Sequence, residues 1–238
     1  GLHYQGAAVL PATAKDPFLS MRLADGSVVR TRLVGSYNAA NVLAALSVGE
    51  YFGVSRSGAV AAIEAYVPVN SRSQLEKTER NTLIVDAYNA NPSSMTVALD
   101  NLFAMKGRSK VALLGDMREL GEDSLAEHIA VVKRLLGGDV RFCLVGEEFR
   151  KALLACEVPG MKVTSVPPLP AGSRDRPVTG PGTVVPVNDS LPEGSLFMGW
   201  YPTSTDLALE LGVRPVSGSI VLVKGSRGIR METVLGLL

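Results

Sequence analysis

Three short polar runs hold the side chains whose chemistry goes beyond packing. Asp86, Tyr88, Asn89 and Asn91 fall within six positions, Asp116 follows Leu114 and Gly115, and Lys224, Ser226 and Arg227 surround Gly225. Carboxylates, amides, a hydroxyl and two cations at such density suit a ligand that is partly anionic and partly neutral. The cations match a carboxylate or phosphate, and the amides orient neutral polar groups. Each residue also has a plainer role. Asn91 before Pro92 fits a helix N-cap, because proline lacks only an amide that has no intrahelical partner. Asp86 fits a turn, Asp116 fits the amides of a following helix, and Lys224 with Arg227 fits a solvated basic turn. The crowding of Asp86, Tyr88 and Asn89 into one loop favours a binding role there, since loops on a rigid scaffold carry function.

Other chemistries find little support. His3 reads as terminal and His128 as a polar-face or core-edge histidine within a helix, and no Cys/His cluster has metal-ligand spacing. Cys143 lies in an apolar stretch without the surroundings of an activated thiolate. No G-x-S-x-G nucleophile elbow, no G-x-x-x-x-G-K-[ST] phosphate loop and no G-x-G-x-x-G after a strand occurs.

The elements that position these runs follow from periodicity. Alternating apolar residues on both sides of Asp25-Gly26 predict a hairpin over residues 18–33. Helical spacing runs from Asn38 to Phe52 and stops at Gly53, and Ser55 caps a second helix through about Tyr66. Pro68 to Arg72 reads as a hinge. Beyond it, apolar strands at Thr82–Asp86, Lys110–Gly115, Arg141–Val145 and Ile220–Val223 alternate with helices at 92–105, 124–136 and 147–155, with a C-terminal helix last. Strands without polar alternation, interleaved with helices, predict a doubly wound α/β domain with a mainly parallel sheet. In such a sheet ligands bind beyond the C-terminal strand ends, where the three polar runs fall. Residues 158–195, with eight Pro and five Gly, predict a long loop, and Leu196 to Tyr201 an edge strand.

Composition narrows the class. The 238 residues suffice for one large domain or two smaller ones, and 24 basic against 23 acidic residues argue against binding nucleic acid or a membrane surface by charge. No apolar run is long enough to span a bilayer. Two cysteines in apolar stretches predict reduced core thiols in a cytosolic protein. The opening on Gly1 reads as a piece of something longer.

These motifs, in their order and spacing, resemble the Mur ligases: the run from Asp86 to Met95, the run from Leu114 to Gly121 with His128 downstream, and Leu222 to Arg227. Gly35 to Asn41 is similar to that family's G-x-H-N-x-x-N helix start, with Tyr37 at the histidine position, and Asn70 to Arg72 resembles its domain-crossing arginine. The branch most resembled adds D-alanyl-D-alanine to UDP-N-acetylmuramoyl-tripeptide in peptidoglycan synthesis. The resemblance implies that residues 1–70 are a hairpin-plus-helices remnant of a central ATPase domain and residues 71–238 a Rossmann-like C-terminal domain. The phosphate loop and the groups holding Mg2+ are then expected upstream. It implies a cytoplasmic, monomeric enzyme that uses ATP to convert a carboxylate into an acyl phosphate, which the dipeptide amine attacks. By motif, Asn38 and Asn41 face adenine, Arg72, Asp86 and Tyr88 contribute to the ATP site, and Asn89, Asn91, Lys224, Ser226 and Arg227 bind substrate. This chain alone is expected to be inactive. Two alternatives stand beside this reading: a sister Mur or folylpolyglutamate-type ligase, and a non-catalytic nucleotide- or peptide-binding module.

Overall fold

The computed structural model describes residues 6–11, 17–68, 74–105, 109–156 and 196–238. Most of the hinge expected at 68–72, including Arg72, and the Pro/Gly-rich run 158–195 lie outside the described residues.

A small antiparallel sheet comes first, of β1 (Ala8–Leu10), β2 (Phe18–Arg22) and β3 (Val28–Val34) in that order. Gly26, at φ +86°, closes the β2–β3 hairpin as the Asp-Gly pair predicts. Leu19, Met21, Leu23 and Val29 bury one face against Val42 and Leu46 of α1 (Asn38–Tyr51) and Ala59 of α2 (Arg56–Ala65). The Ser55 hydroxyl accepts the Gly58 amide and caps α2.

The larger sheet has the order β4 (Gln74–Lys77), β5 (Thr82–Asp86), β9 (Ser219–Lys224), β6 (Ser109–Gly115), β7 (Arg141–Val145), β8 (Phe197–Tyr201). Only β4, on one edge, runs antiparallel to its neighbour, and β8 forms the other edge. Alternate side chains of each inner strand go to opposite faces. Ile84, Ala112, Leu114, Leu144 and Leu222 pack on one side with α3 (Pro92–Ala104), α4 (Ser124–Leu136) and α5 (Glu147–Ala155). Leu83, Val85, Val111, Leu113, Val145, Val221 and Val223 pack on the other, under α6 (Ser204–Val213) and the final turns. The outcome is the α/β, mainly parallel, two-sided architecture that the uninterrupted apolar strands predict.

Two details differ from expectation. The C-terminal helix is a pair of 3-10 turns, Arg227–Ile229 and Met231–Leu237, separated by Arg230 at φ +58°. A left-handed residue there interrupts the helical run. Helix α6 and strand β4 were not anticipated from periodicity. No helix among the described residues is long and apolar enough to cross a membrane.

Candidate functional site at the strand ends

The last long strand supplies the geometry of the site. The chain passes from β5 through α3 to β6 and leaves a gap, which β9 fills only after α6. The loop after β9 is thereby threaded between the loops after β5 and β6. Asp86 pairs in register with Lys224 across β5 and β9, and Leu114 with Lys224 across β9 and β6.

Lys224 is 1% exposed. Its ammonium donates to Asp86 Oδ2 at 2.5 Å and to the Asn89 carbonyl at 3.2 Å. A lysine so deeply buried needs both a counter-charge and further acceptors, and this pair supplies them. Ser226 is the second tie: its hydroxyl donates to the Ala90 carbonyl at 3.3 Å and accepts the Arg118 amide at 2.8 Å. The Ser226 amide donates to the Asp116 carbonyl at 3.1 Å. Three loops thus share one hydrogen-bonded system. Where β6 and β9 end side by side, a Cβ on Gly225 would stand 3.1 Å from Gly115 Cα and 2.8 Å from Met231 Cγ, so the close approach requires glycine.

Asn91 caps α3. Its Oδ1 accepts the Ser94 amide at 2.8 Å while the Ser94 hydroxyl accepts the Asn91 amide, a reciprocal capping box. Asn89 Oδ1 accepts the Ala90 amide at 2.9 Å, which shapes the loop. Tyr88 is 37% exposed, with the Arg227 guanidinium 5.4 Å from its ring centroid, inside cation–π range. The rim therefore joins Asp86, Tyr88, Asn89, Asn91, Lys224, Ser226 and Arg227. Asn38 and Asn41 lie on the smaller unit, at the start of α1, where Asn38 Nδ2 donates to the Val34 carbonyl and its Oδ1 accepts from Asn41. Arg72 falls outside the described residues.

Asp116 turns from the ligand face into the protein. Its Oδ2 accepts the Glu148 amide at 3.0 Å and its Oδ1 the Phe149 amide at 2.9 Å, so it caps α5, one strand over, rather than the helix that follows it. Burial pushes its carboxyl above the usual aspartate range, and the two amides partly oppose that. His128 is fully buried, not at a core edge. Its Nε2 accepts the Met117 amide at 3.0 Å, which puts the proton on Nδ1, 2.7 Å from the Ser124 carbonyl. The histidine thereby fixes the 116–121 loop from beneath. Burial pushes the Cys143 thiol up to about 12, an inert core thiol as expected.

Sequence reading passed over Arg118. Its side chain lies against Gly228, where a Cβ would be 3.4 Å from Nε and 3.5 Å from Cζ. The signal was present in its position, one strand end from Lys224, but only the strand order makes those loops neighbours.

Residues 71–172 match the family described as "Mur ligase, glutamate ligase domain". The UDP-N-acetylmuramoyl-tripeptide–D-alanyl-D-alanine ligase of Mycobacterium bovis is 38% identical over 127 residues, 50% of this chain and 25% of that protein. The enzyme of the same name from Escherichia coli is 34% identical over 127 residues, 52% of this chain and 28% of its own length. The matched stretch is therefore little more than a quarter of either relative. In fold, a crystal structure of MurF from Acinetobacter baumannii superposes with a TM-score of 0.68 at 21% identity, covering 98% of this chain and 44% of that one. MurF from Thermotoga maritima, in complex with ADP, gives 0.62 at 19%, over 97% and 45%. Over residues 71–172 the chain is thus similar to the C-terminal domain of the Mur ligases.

Proposed function

We propose that this chain is the C-terminal part of an ATP-dependent amide ligase that joins D-alanyl-D-alanine to UDP-N-acetylmuramoyl-tripeptide in peptidoglycan precursor synthesis. The observation that carries this reading is the interlocked rim at the ends of β5, β9 and β6, in a domain whose relatives at 38% and 34% identity bear that enzyme's name. Residues 1–70 belong in this reading to a central ATPase domain and residues 71–238 to the C-terminal domain. The enzyme works as a cytoplasmic monomer.

A carboxylate is a poor acyl donor because its oxide is too basic to leave. ATP with Mg2+ supplies the phosphoryl group that turns this oxygen into a leaving group. The residues present suit a nucleotide with a planar base and a polar sugar. The part-exposed Tyr88 ring offers a stacking face, and Asp86 supplies a carboxylate for hydroxyl groups. Asn38 and Asn41 address the adenine side from the smaller unit, and Arg72 the phosphates. Mg2+ is assigned to residues upstream; among the described residues no three His, Cys, Asp or Glu side chains gather to hold it. On the acceptor side, Asn89, Asn91, Ser226 and Arg227 orient the dipeptide, while Lys224 fixes the loop that presents them. Closure of the domain over the ATPase domain excludes water from the activated acyl group, which hydrolysis would otherwise consume.

Phosphate release tests the reading. The enzyme containing this domain, given ATP, UDP-N-acetylmuramoyl-tripeptide and D-alanyl-D-alanine, is expected to release phosphate only when all three are present, with the 238-residue chain alone silent. Release that ignores omission of the dipeptide would assign another acceptor. Turnover by the chain alone would overturn the domain division.

A further inference from the structure

We infer that His128 is the positioning residue of the rim: its Nε2 lone pair holds the Met117 amide and, through it, the loop that ties the end of β6 to the loops after β9 and β7. The part of this inference that concerns turnover rests on the proposed function. Three consecutive amides of the loop leave in three directions. The Asp116 amide donates to the Val145 carbonyl of β7 at 2.9 Å, the Met117 amide to His128 Nε2 at 3.0 Å, and the Arg118 amide to Ser226 Oγ at 2.8 Å. The Ser226 amide returns to the Asp116 carbonyl, and its hydroxyl passes on to the Ala90 carbonyl. The outer two bonds join one strand end to another. The middle one is made to a side chain of α4, and Met117 is 1% exposed, so its amide has little access to water as a substitute partner.

Other side chains of similar size could fill the space, but the imidazole brings two nitrogens with opposite roles. Nδ1–H donates to the Ser124 carbonyl at 2.7 Å, one turn back on α4, which leaves Nε2 bare and aimed at the loop. An edge contact with the Phe149 ring, centroids 4.7 Å apart, holds the imidazole plane. An imidazole can also lose this lone pair. Once protonated it carries N–H on both nitrogens and meets the Met117 N–H as a second donor. The hold on the loop is therefore present with the neutral ring and lost as the ring takes up a proton. The charged groups that bear on the ring are Asp116, with Oδ1 3.8 Å from Nε2, and Glu148 of α5, which pairs with Lys151 and accepts from Ser124 Oγ. Asp100 of α3 is engaged with Arg134, and Glu122 and Asp123 before α4 are exposed. Asp116 is thus the alternative partner of a protonated ring.

Amide NMR of the 238-residue chain tests the hold, and turnover by the enzyme containing this domain tests its use. His128→Gln keeps a carbonyl acceptor at about the reach of Nε2 but has no titrating group, and His128→Leu keeps bulk without an acceptor. In wild type the Met117, Arg118 and Ser226 amide resonances are expected to move together with the imidazole signals between about pH 8 and 5, and in His128→Gln to stay in place. In His128→Leu the Met117 amide is expected to exchange about tenfold faster relative to the amides of β6, and in His128→Gln no more than about twofold. In turnover, His128→Leu is expected to raise KM for D-alanyl-D-alanine about tenfold with a smaller change in kcat, and His128→Gln to restore it. Should His128→Leu fail to fold, the pH comparison between wild type and His128→Gln decides. Resonances that shift equally in His128→Gln assign the titration to Asp116 or Glu148 and overturn the inference. A Met117 amide equally protected in His128→Leu overturns it as well, and an unchanged KM in that variant overturns the role in ligation. Failure of the ligase reading is read separately, from phosphate release by the unsubstituted enzyme, and leaves the NMR result standing.

Discussion

Asp86 and Lys224 face each other across adjacent parallel strands, and the burial of the lysine decides what its removal does. Lys224→Ala takes away the partner of a buried carboxylate and the donor to the Asn89 carbonyl together. A loss of about 3–5 kcal/mol is expected, because the charge left behind is the costly part. Urea unfolding of the isolated chain measures it, and a loss below 1 kcal/mol would mean that water reaches Asp86 freely. If the rim binds the ligands of the proposed ligase, the same variant is expected to disturb all of them rather than the dipeptide alone, since the lysine holds the 86–91 loop. From the sequence, Lys224 reads as a cation available to a ligand. Its engagement was invisible there because it depends on register across strands 138 residues apart.

Gly146 shows how one element is fixed by another. It sits at φ +111°, and a Cβ there would fall 2.3 Å from Asp116 Oδ2, the oxygen that accepts the Glu148 amide at the start of α5. Gly146→Ala therefore strains the backbone and displaces the cap at once. A cost of about 2–3 kcal/mol is expected, from roughly 1–2 for the left-handed conformation and ~1 for the cap. Urea denaturation measures the sum. Hydrogen exchange localises it, with the amides of Glu148 and Phe149 losing protection before those of β6. Local signals made most of this scale legible: the Asp-Gly hairpin, the Asn91-Pro92 helix start and the apolar strands all formed where their residue types predict. The misses have physical causes. Strand β4 is short and polar, with Gln74, Glu76 and Lys77 at an edge, so it carries no apolar pattern. Helix α6 announces itself only through the Thr203–Asp206 capping box, a real signal that follows a long Pro/Gly-rich run. The partner of Asp116 is not legible in the sequence because it lies on the next strand's loop, at the start of α5, 32 and 33 residues along the chain.

At the scale of the molecule, strand order is what the sequence withholds, and it creates the site by placing the last strand between the first two parallel ones. Asn81 secures that closure. Its Nδ2 donates to the Val216 and Leu238 carbonyls at 2.8 and 2.6 Å, and its Oδ1 accepts the Ser219 amide at 3.1 Å, just where β9 enters the sheet. Thr78 adds a hydroxyl bond to the same Leu238 oxygen. Asn81→Ala is expected to lose about 2–3 kcal/mol, since buried amide and carbonyl groups are left without partners. Hydrogen exchange at Ser219 and the β9 amides is expected to accelerate more than exchange in β7; equal acceleration in both would deny Asn81 a local role. Trp200 lies at the opposite end of the same sheet, where β7 and β8 finish, its indole N–H donating to the Gly146 carbonyl at 2.6 Å. It is the only tryptophan in the chain and is 3% exposed. The protein thus contains its own optical reporter: indole emission tracks the Gly146–Asp116 corner without any attached dye, and a red shift that precedes loss of the circular dichroism signal would time the loosening of that corner against collapse of the whole.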